Sequence, residues 1–178
     1  MLSRRGLKIK SGPGFAGDMT QVVLRRFEAD DVDWLVEQHG TLYAEAEGFD
    51  DSFGVLVAQI LADFVVEHDP ARERGWIAEE GGQRLGSIFC VSNGAEGAKL
   101  RLFLLTPKAR GKGLGKRLLQ ACMDFARETG YTEMVLWTHE SHRAACALYA
   151  KFGWQLVDSK PVRSFGVDLV EQSWRIDL

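Results

Sequence analysis

The segment from Thr106 to Arg127, TPKARGKGLGKRLLQACMDFAR, constrains the fold more than any other stretch of the chain. It follows the apolar run LRLFLL, and it places Gly111, Gly113 and Gly115 directly before an apolar stripe with helical spacing. A strand, a glycine-rich loop and a helix in this order are parts of an α/β fold. Glycine lets a backbone approach a ligand closely, and the first amides of a helix attract anions. The segment therefore predicts a site for a phosphate-bearing ligand.

Two common phosphate-binding motifs do not fit this loop. A nucleoside-triphosphate P-loop has the form GxxxxGK followed by Ser or Thr, whose hydroxyl binds magnesium. Here the spacing from Gly111 to Gly115 is one residue too short, and Arg117 stands where the hydroxyl is needed. A dinucleotide-binding fold carries GxGxxG after its first strand, whereas this GxGxG follows the predicted fourth strand. The sequence therefore favours neither of these ligand classes.

Composition indicates one globular domain. The chain has 178 residues, 46% of them hydrophobic, and its net charge of -3 argues against a nucleic-acid binder, which carries a basic excess. No apolar run approaches the roughly 18 residues of a membrane helix, and Cys90, Cys122 and Cys146 include no CxxC pair, so no membrane segment, disulfide or metal site is predicted. We expect a cytoplasmic protein, with residues 1–20 as a flexible tail and residues 21–178 as the domain.

Hydrophobic periodicity along residues 21–178 predicts the order β-α-α-β-β-β-α-β-α-β-β. Two amphipathic helices follow a first strand at Gln21–Phe27, and glycine-rich turns then separate three strands. After the glycine loop and its helix come a strand at Tyr131–Thr138, a helix at Glu140–Phe152 and two final strands, the last at Val170–Ile176. The pattern predicts an α/β fold with a mixed sheet covered by helices.

Two motifs in this order resemble the Gcn5-related N-acetyltransferase (GNAT) superfamily. RGKGLG, from Arg110 to Gly115, matches the R/Q-x-x-G-x-G/A loop that wraps the pyrophosphate of acetyl-coenzyme A, and RAACALYAKFGW resembles the A-x-x-LY-x-x-x-GF helix. HGTLYAEAEGFD and SFGVDLVEQSW look like the acetyltransferase half of bacterial proteins that fuse this domain to a MarR-type helix-turn-helix. The resemblance implies a mostly antiparallel central sheet of about seven strands, with a splay between strands 4 and 5.

The resemblance also assigns residues to acetyl-coenzyme A, the acyl donor. Main-chain groups of the fourth strand would hold its pantetheine arm, the glycine loop its pyrophosphate, and the hydroxyl of Tyr149 would lie near the thioester sulfur. The assigned residues are Leu104, Leu105, Thr106, Arg110, Gly111, Lys112, Gly113, Leu114, Gly115, Lys116, Ala145 and Tyr149.

Tyr149 is thereby predicted to be the general acid that protonates the departing thiolate, because a phenol of pKa about 10 can donate to a thiolate of pKa about 8.5. The general base is less clear from the sequence. Many family members carry a glutamate on the fourth strand within A-E-L, and this chain has Ala98-Lys99-Leu100 instead. The candidates are Glu140 and His139, the acids of the first helix-loop, or a water chain with no single base.

The first third of the chain carries the residues predicted to bind the acceptor, namely Tyr43, Glu45, Glu47 and Asp50. If these acids line the acceptor cleft, the acceptor is cationic, such as a polyamine, an aminoglycoside or a lysine side chain. The alternative is that they form the solvated face and caps of helices.

The predicted activity is direct transfer of an acetyl group from acetyl-coenzyme A to a primary amine of a small molecule or peptide, without an acyl-enzyme. The alternatives are a non-catalytic acyl-coenzyme A sensor that has the same fold, which the missing strand glutamate favours, and a peptide- or helix-binding partner protein. By analogy with the family, the final strands predict a homodimer.

Overall fold

The computed structural model describes residues 21–178, and the predicted tail at residues 1–20 lies outside this range. It contains seven strands and four helices in the predicted order. Their bounds are β1 Val23–Arg26, α1 Val32–Glu47, α2 Asp51–Glu67, β2 Arg74–Glu80, β3 Gln83–Ser92, β4 Gly97–Leu105, α3 Leu114–Thr129, β5 Glu133–His139, α4 Arg143–Lys151, β6 Gln155–Ser164 and β7 Val167–Asp177.

The strands form one mixed sheet in the order β1-β2-β3-β4-β5-β7-β6. Every neighbouring pair is antiparallel except β4 and β5, which run parallel. This parallel pair is short, because only Gly97–Lys99 of β4 pairs with Glu133–Val135 of β5. Beyond Lys99 the two strands diverge while β4 continues to Leu105. The predicted sheet and its splay between strands 4 and 5 are confirmed.

Each face of the sheet has its own apolar core. On one face α3 contributes Leu118, Cys122 and further buried residues of its amphipathic stripe to the larger core. On the other face α1 and α2 contribute Leu35 and Leu61, which pack with the strand residue Phe89. The helices thus fix the sheet from both sides, and they leave the splay as an opening between the two halves of the sheet.

Element ends near the splay differ from the predicted ones. The last helix begins at Arg143 rather than Glu140, because residues 140–142 form a turn in which the His142 amide donates to the His139 carbonyl over 3.0 Å. The final strands are also longer than predicted and form a hairpin through Phe165 and Gly166, both with positive φ. The apolar Phe165 conceals this turn from a sequence reading, since turns favour polar residues and glycine.

Within residues 21–178, no helix combines the length and the apolar character that crossing a bilayer requires.

Candidate active site

The glycine loop leaves a row of main-chain amides unpaired. Gly111 and Gly113 have φ of 76° and 70°, which a residue with a side chain rarely adopts, and no atom lies within 4 Å of the position of an added Cβ at either glycine. Within the described part of the chain, no amide from Gly111 to Lys116 donates to a main-chain carbonyl, and the first such donor is Arg117, to Gly113 over 3.2 Å. Because α3 begins at Leu114, these amides combine with the positive end of the helix dipole.

Basic side chains surround this loop. Lys108, Arg110, Lys112 and Lys116 are exposed there, and Lys112 forms a salt bridge of 2.8 Å with Glu80. Exposed ion pairs of this kind contribute little to stability. The loop therefore combines unpaired amides with an excess of positive charge, as a site for a diphosphate requires.

Close packing joins the start of α3 to the splayed end of β4. A Cβ added to Gly115 would lie 3.2 Å from a methyl group of Leu105, 3.4 Å from one of Leu148 and 3.6 Å from the ring of Phe103. An added Cβ would require the Leu105 side chain to shift by a few tenths of an ångström, and a larger side chain would require more. Gly115 thus favours close packing of α3 on β4, whereas Gly111 and Gly113 provide backbone conformation.

A bulge distorts β4 at the splay. Leu102 has a φ of 49°, and the pairing register between β3 and β4 shifts between Ser87 and Phe89. The hydroxyl of Ser87, which is fully buried, donates to the Leu102 carbonyl over 2.7 Å and holds the bulge in place. Bulges re-aim backbone groups and side chains next to active sites. Here the bulge lies on the strand whose open edge faces β5.

Two cavities lie along the splay. The smaller one, of about 160 Å³, is on the glycine-loop side and is lined by Leu104, Leu105 and Arg110 together with Glu47 and His142. The larger one, of about 350 Å³ and hereafter the cleft, lies between α2 and the ends of β4 and β5. Tyr43 and Phe103 line both cavities.

Tyr149 lies at the inner end of the cleft with 3% of its surface exposed. Burial and the neighbouring Tyr43 raise the pKa of Tyr149 far above that of a free phenol. Burial also raises the pKa of Tyr43 to about 12, with a contribution from Glu47. Both hydroxyls are therefore protonated at neutral pH, and Tyr149 has a proton to donate.

Two histidines lie beside the tyrosines. His139 lines the cleft, and its Nδ1 is buried without a hydrogen-bond partner in the described residues. The Nδ1 of His142 lies 3.2 Å from the Thr138 hydroxyl, and its Nε2 lies 3.4 Å from a carboxylate oxygen of Glu47. Burial lowers the pKa of both histidines, and Glu47 partly opposes this effect. Both rings are thus mainly neutral at pH 7, the form in which imidazole accepts a proton.

The structure brings some predicted site residues together and separates others. Tyr43, His139, Ala145 and Tyr149 line the cleft, and Glu47 lines the smaller cavity. The remaining residues predicted for catalysis or acceptor binding are exposed and line neither cavity, namely Glu45, Asp50 and Glu140. The Asp50 carboxylate caps α2 by accepting from the Ser52 amide over 3.0 Å, so the alternative interpretation of the acids, as helix caps, describes this residue.

Sequence reasoning missed two positively charged residues of the cleft, Lys99 and Arg101. The Lys99 ammonium lies 3.5 Å from the centroid of the Trp137 ring, and burial lowers the pKa of Lys99 to about 8. The alternation of charged and apolar residues in KLRLF was a usable signal, since it places Lys99 and Arg101 on the face opposite the buried Leu100.

Comparisons with known proteins agree with this geometry. The model of the acetyltransferase (GNAT) family matches residues 27–154. Rat N-acetyltransferase 8 is 35% identical over 124 residues, which cover 66% of this chain and 53% of the relative. Rat N-acetyltransferase family 8 member 2 is 37% identical over 100 residues, which cover 53% of this chain and 44% of the relative. The chain thus spans about half the length of these curated relatives.

Solved structures share the fold. A ribosomal-protein-alanine N-acetyltransferase from Brucella melitensis superposes with a TM-score of 0.71 at 18% identity, covering 88% of this chain and 99% of the other. A putative acetyltransferase from Salmonella typhimurium, solved with its cofactor acetyl-CoA, gives a TM-score of 0.69 at 20% identity and covers 89% and 94%. The similarity to MarR-type fusion proteins and the cytoplasmic location stay predictions. The family match covers most of the chain, and the chain belongs to the acetyltransferase (GNAT) family.

Proposed function

We propose that this chain is an N-acetyltransferase that moves the acetyl group of acetyl-coenzyme A directly to a primary amine. The proposal depends on two features that lie at the same splay. The amides of Gly111–Lys116 are unpaired, and Tyr149 is buried and protonated at the inner end of the cleft. The family relationship and the neighbouring structure with acetyl-CoA support it.

The residues present fit the two ends of acetyl-coenzyme A. The amides of Gly111–Lys116 would bind its pyrophosphate, with Arg110 and Lys116 supplying positive charge. The open edge of β4 at Leu104 and Leu105 would bind the amides of the pantetheine arm, as an added strand binds a sheet edge. Thr106, which the sequence also assigns to this role, follows the end of β4, and its main chain is already paired: its amide donates to the Leu85 carbonyl over 2.9 Å and its carbonyl accepts from the Ala109 amide over 3.0 Å. Acetyl-coenzyme A supplies the activated acyl group as a thioester.

The chain's own groups would manage two protons. A primary alkylamine is almost fully protonated at pH 7, so its nitrogen must lose one proton before it attacks and a second one as the amide forms. We assign the first proton to His139, which lines the cleft and is neutral, rather than to the exposed Glu140. The nitrogen then forms the new C–N bond as the C–S bond breaks, Tyr149 gives its proton to the departing thiolate, and the second proton of the nitrogen returns to the Tyr149 oxygen. Placing both reactants in one pocket supplies much of the remaining rate enhancement.

A charge substitution in the loop tests the binding half of the proposal. Gly113→Asp places a carboxylate beside the amides. An asparagine at this position has nearly the same shape as the aspartate, tolerates positive φ and adds no charge, so Gly113→Asn is the matched control. We expect Gly113→Asp to bind coenzyme A at least ten-fold more weakly than Gly113→Asn, as measured by isothermal titration calorimetry. Equal affinities for the two variants would remove the loop from the binding site.

Turnover tests the catalytic half. Release of free thiol from acetyl-coenzyme A in the presence of primary amines should exceed the rate without amine, and mass spectrometry should find the acetylated amine. Coenzyme A binding without turnover on any amine would instead support the non-catalytic sensor.

A further inference from the structure

No carboxylate of residues 21–178 lines the cleft. Its walls are mainly apolar, with Leu56, Val57 and Ile60 of α2 facing Trp137 of β5. Its only residues with a full positive charge are Lys99 and Arg101, and no Asp or Glu of the described residues lines it. This composition does not match a polyamine or an aminoglycoside, because a second ammonium group would lie near two cations in a partly desolvated pocket.

Lys99 and Arg101 have no anionic partner. In the described residues neither side chain forms a salt bridge within 4.0 Å or a side-chain hydrogen bond, and Lys99 forms a cation–π pair with the face of Trp137. The lowered pKa of Lys99 has burial as its main cause and repulsion from Arg101 as the second, with Glu171 opposing both. The two cations therefore leave a positive potential unmatched inside the cleft.

A third cavity, which continues the cleft outward, limits where an anion can lie. This outer cavity, of about 310 Å³, shares Ile60, Lys99, Arg101 and Leu102 with the cleft, so the two form one groove beneath α2. The outer cavity is also lined by the acidic residues Asp63, Glu67 and Glu73, which do not line the cleft. These acids would repel an anion from the outer cavity, so an anion bound by the two cations would lie on their cleft side.

Positions along β4 set the distance between this anion subsite and the reacting centre. The Phe103 ring lies 6.2 Å from the Tyr149 ring, and Arg101 and Lys99 precede Phe103 by two and four residues. An extended strand rises about 3.3 Å per residue, so Arg101 and Lys99 are at most about 7 Å and about 13 Å from Phe103, and the bulge at Leu102 shortens both distances. An amine beside Tyr149 and an anion beside the cations are therefore separated by the length of an apolar body.

We propose that the acceptor is a small amine with an apolar body and a carboxylate at the end remote from the amine, bound by Lys99 and Arg101. The inference rests on the acetyltransferase activity proposed above. It replaces the cationic acceptor that the acidic first third of the sequence favours, since Glu45 and Asp50 are exposed and do not line the cleft.

Three related amines test the proposal: 4-(2-aminoethyl)benzoate, 4-methylphenethylamine and phenylalanine. The first two differ only in the remote carboxylate, and the third carries its carboxylate beside the amine. We expect kcat/KM for the benzoate to exceed that for either of the other two at least ten-fold. Equal values for the benzoate and the methyl compound, or a preference for spermidine, would overturn the proposal.

Paired variants identify the residues responsible. Lys99→Met and Arg101→Met should each remove most of the preference for the carboxylate while keeping turnover of 4-methylphenethylamine, which shows that the variant is folded. Lys151→Met removes the same charge on an exposed turn of α4 outside the cleft, and it should keep the preference. Retention of the preference in both cleft variants would refute the anion subsite. Loss of coenzyme A binding and of all turnover in the wild-type chain would instead refute the proposed function.

Discussion

At the scale of single residues, the site depends on groups whose protonation is set by burial. Tyr149 and Tyr43 stay protonated, whereas His39, His139 and His142 stay neutral. In each case burial is the largest cause, because a low-dielectric environment disfavours the charged form. Two predictions follow from particular members of this group.

Replacement of Tyr149 by Phe should lower kcat by roughly 10²–10⁴-fold, the usual contribution of a general acid, because the ring stays in place and only the donor is lost. The dissociation constant of coenzyme A should change less than three-fold, since the pyrophosphate site is untouched. Steady-state kinetics and calorimetry measure the two quantities. Unchanged turnover would show that another group protonates the thiolate.

His39 predicts a loss of stability in acid. It is 2% exposed, its Nδ1 lies 2.8 Å from the Leu35 carbonyl, and burial lowers its pKa to about 4. The unfolded chain, with a histidine pKa near 6.5, takes up the proton first, so stability should fall as pH falls from about 6.5 to about 4. The shift corresponds to roughly 3 kcal/mol.

Urea denaturation at pH 7 and pH 4.5 measures this effect. His139 and His142 act in the same direction, so the comparison with His39→Leu isolates the contribution of His39. The variant should lose less stability between the two pH values than the wild-type chain. An equal loss in both proteins would show that His39 does not control the acid response.

At the scale of elements, periodicity and turn chemistry predicted all seven strands and all four helices from the sequence. The apolar stripe of α3 was clear because Leu118 and Cys122 recur at helical spacing before Gly130, which caps the helix with a φ of 89°. The splay could not be derived in this way. It arises where pairing between β4 and β5 stops, and only the family resemblance pointed to it.

The site was predictable to the same extent. The glycine loop and Tyr149 stand in contiguous motifs, so the sequence predicts their roles, and those roles stay predictions. The contact of Glu47 with His142 joins the end of α1 to the start of α4, and no local pattern encodes such a pair. Lys99 was noticed only as a missing glutamate, because its side chain matters through Trp137 on another strand.

The bulge in β4 gives a prediction at this scale. Ser87→Ala removes the hydrogen bond to the Leu102 carbonyl and should lower the free energy of unfolding by about 1 kcal/mol. Because the bulge shapes the open edge of β4, the KM for acetyl-coenzyme A should also rise. The control is Ser92→Ala at the exposed end of β3, which removes only an exposed hydrogen bond to the Gly94 carbonyl; it should lower the free energy of unfolding less than Ser87→Ala and leave the KM unchanged. A destabilised variant with an unchanged KM would separate the bulge from ligand binding.

At the scale of the whole molecule, the turn between β6 and β7 packs against residues beside the cleft. Phe165 packs against Phe49 at 4.9 Å and Phe53 at 5.0 Å between ring centroids, and its carbonyl accepts from the Asp50 amide over 3.0 Å. The His139 ring lies 5.5 Å from the Phe49 ring and 6.4 Å from the Phe165 ring, so it belongs to the same cluster. The last hairpin thus connects the α1–α2 junction to the end of β5.

Phe165→Ala should therefore lower the free energy of unfolding by roughly 2 kcal/mol, because it removes a partly buried aromatic ring. It should raise the KM for the acceptor more than the KM for acetyl-coenzyme A, since the packed cluster includes His139 and not the glycine loop. Urea denaturation and steady-state kinetics test both parts. An equal rise in the two KM values would point to general loosening of the fold.

The same hairpin bears on the predicted homodimer. β6 forms the edge of the sheet, and its residues are mostly exposed on both faces, with Leu156 and Val157 among the exposed apolar side chains. Exposed edges of this kind are templates for strand pairing between chains. Dimerisation stays a prediction, which sedimentation velocity tests. A monomer at micromolar concentration would contradict it.

The three-residue ladder between β4 and β5 has a mechanical consequence. The sheet is almost divided into two slabs, joined in the middle by a single short seam. A ligand that enters the gap has no hydrogen bonds between β4 and β5 to break there, and it can itself bridge the two parts of the sheet. Ligand binding should therefore make the centre of the sheet more rigid. Amide hydrogen exchange in β4 and β5 should slow together on ligand addition, while β1 and β6 at the outer edges keep their rates.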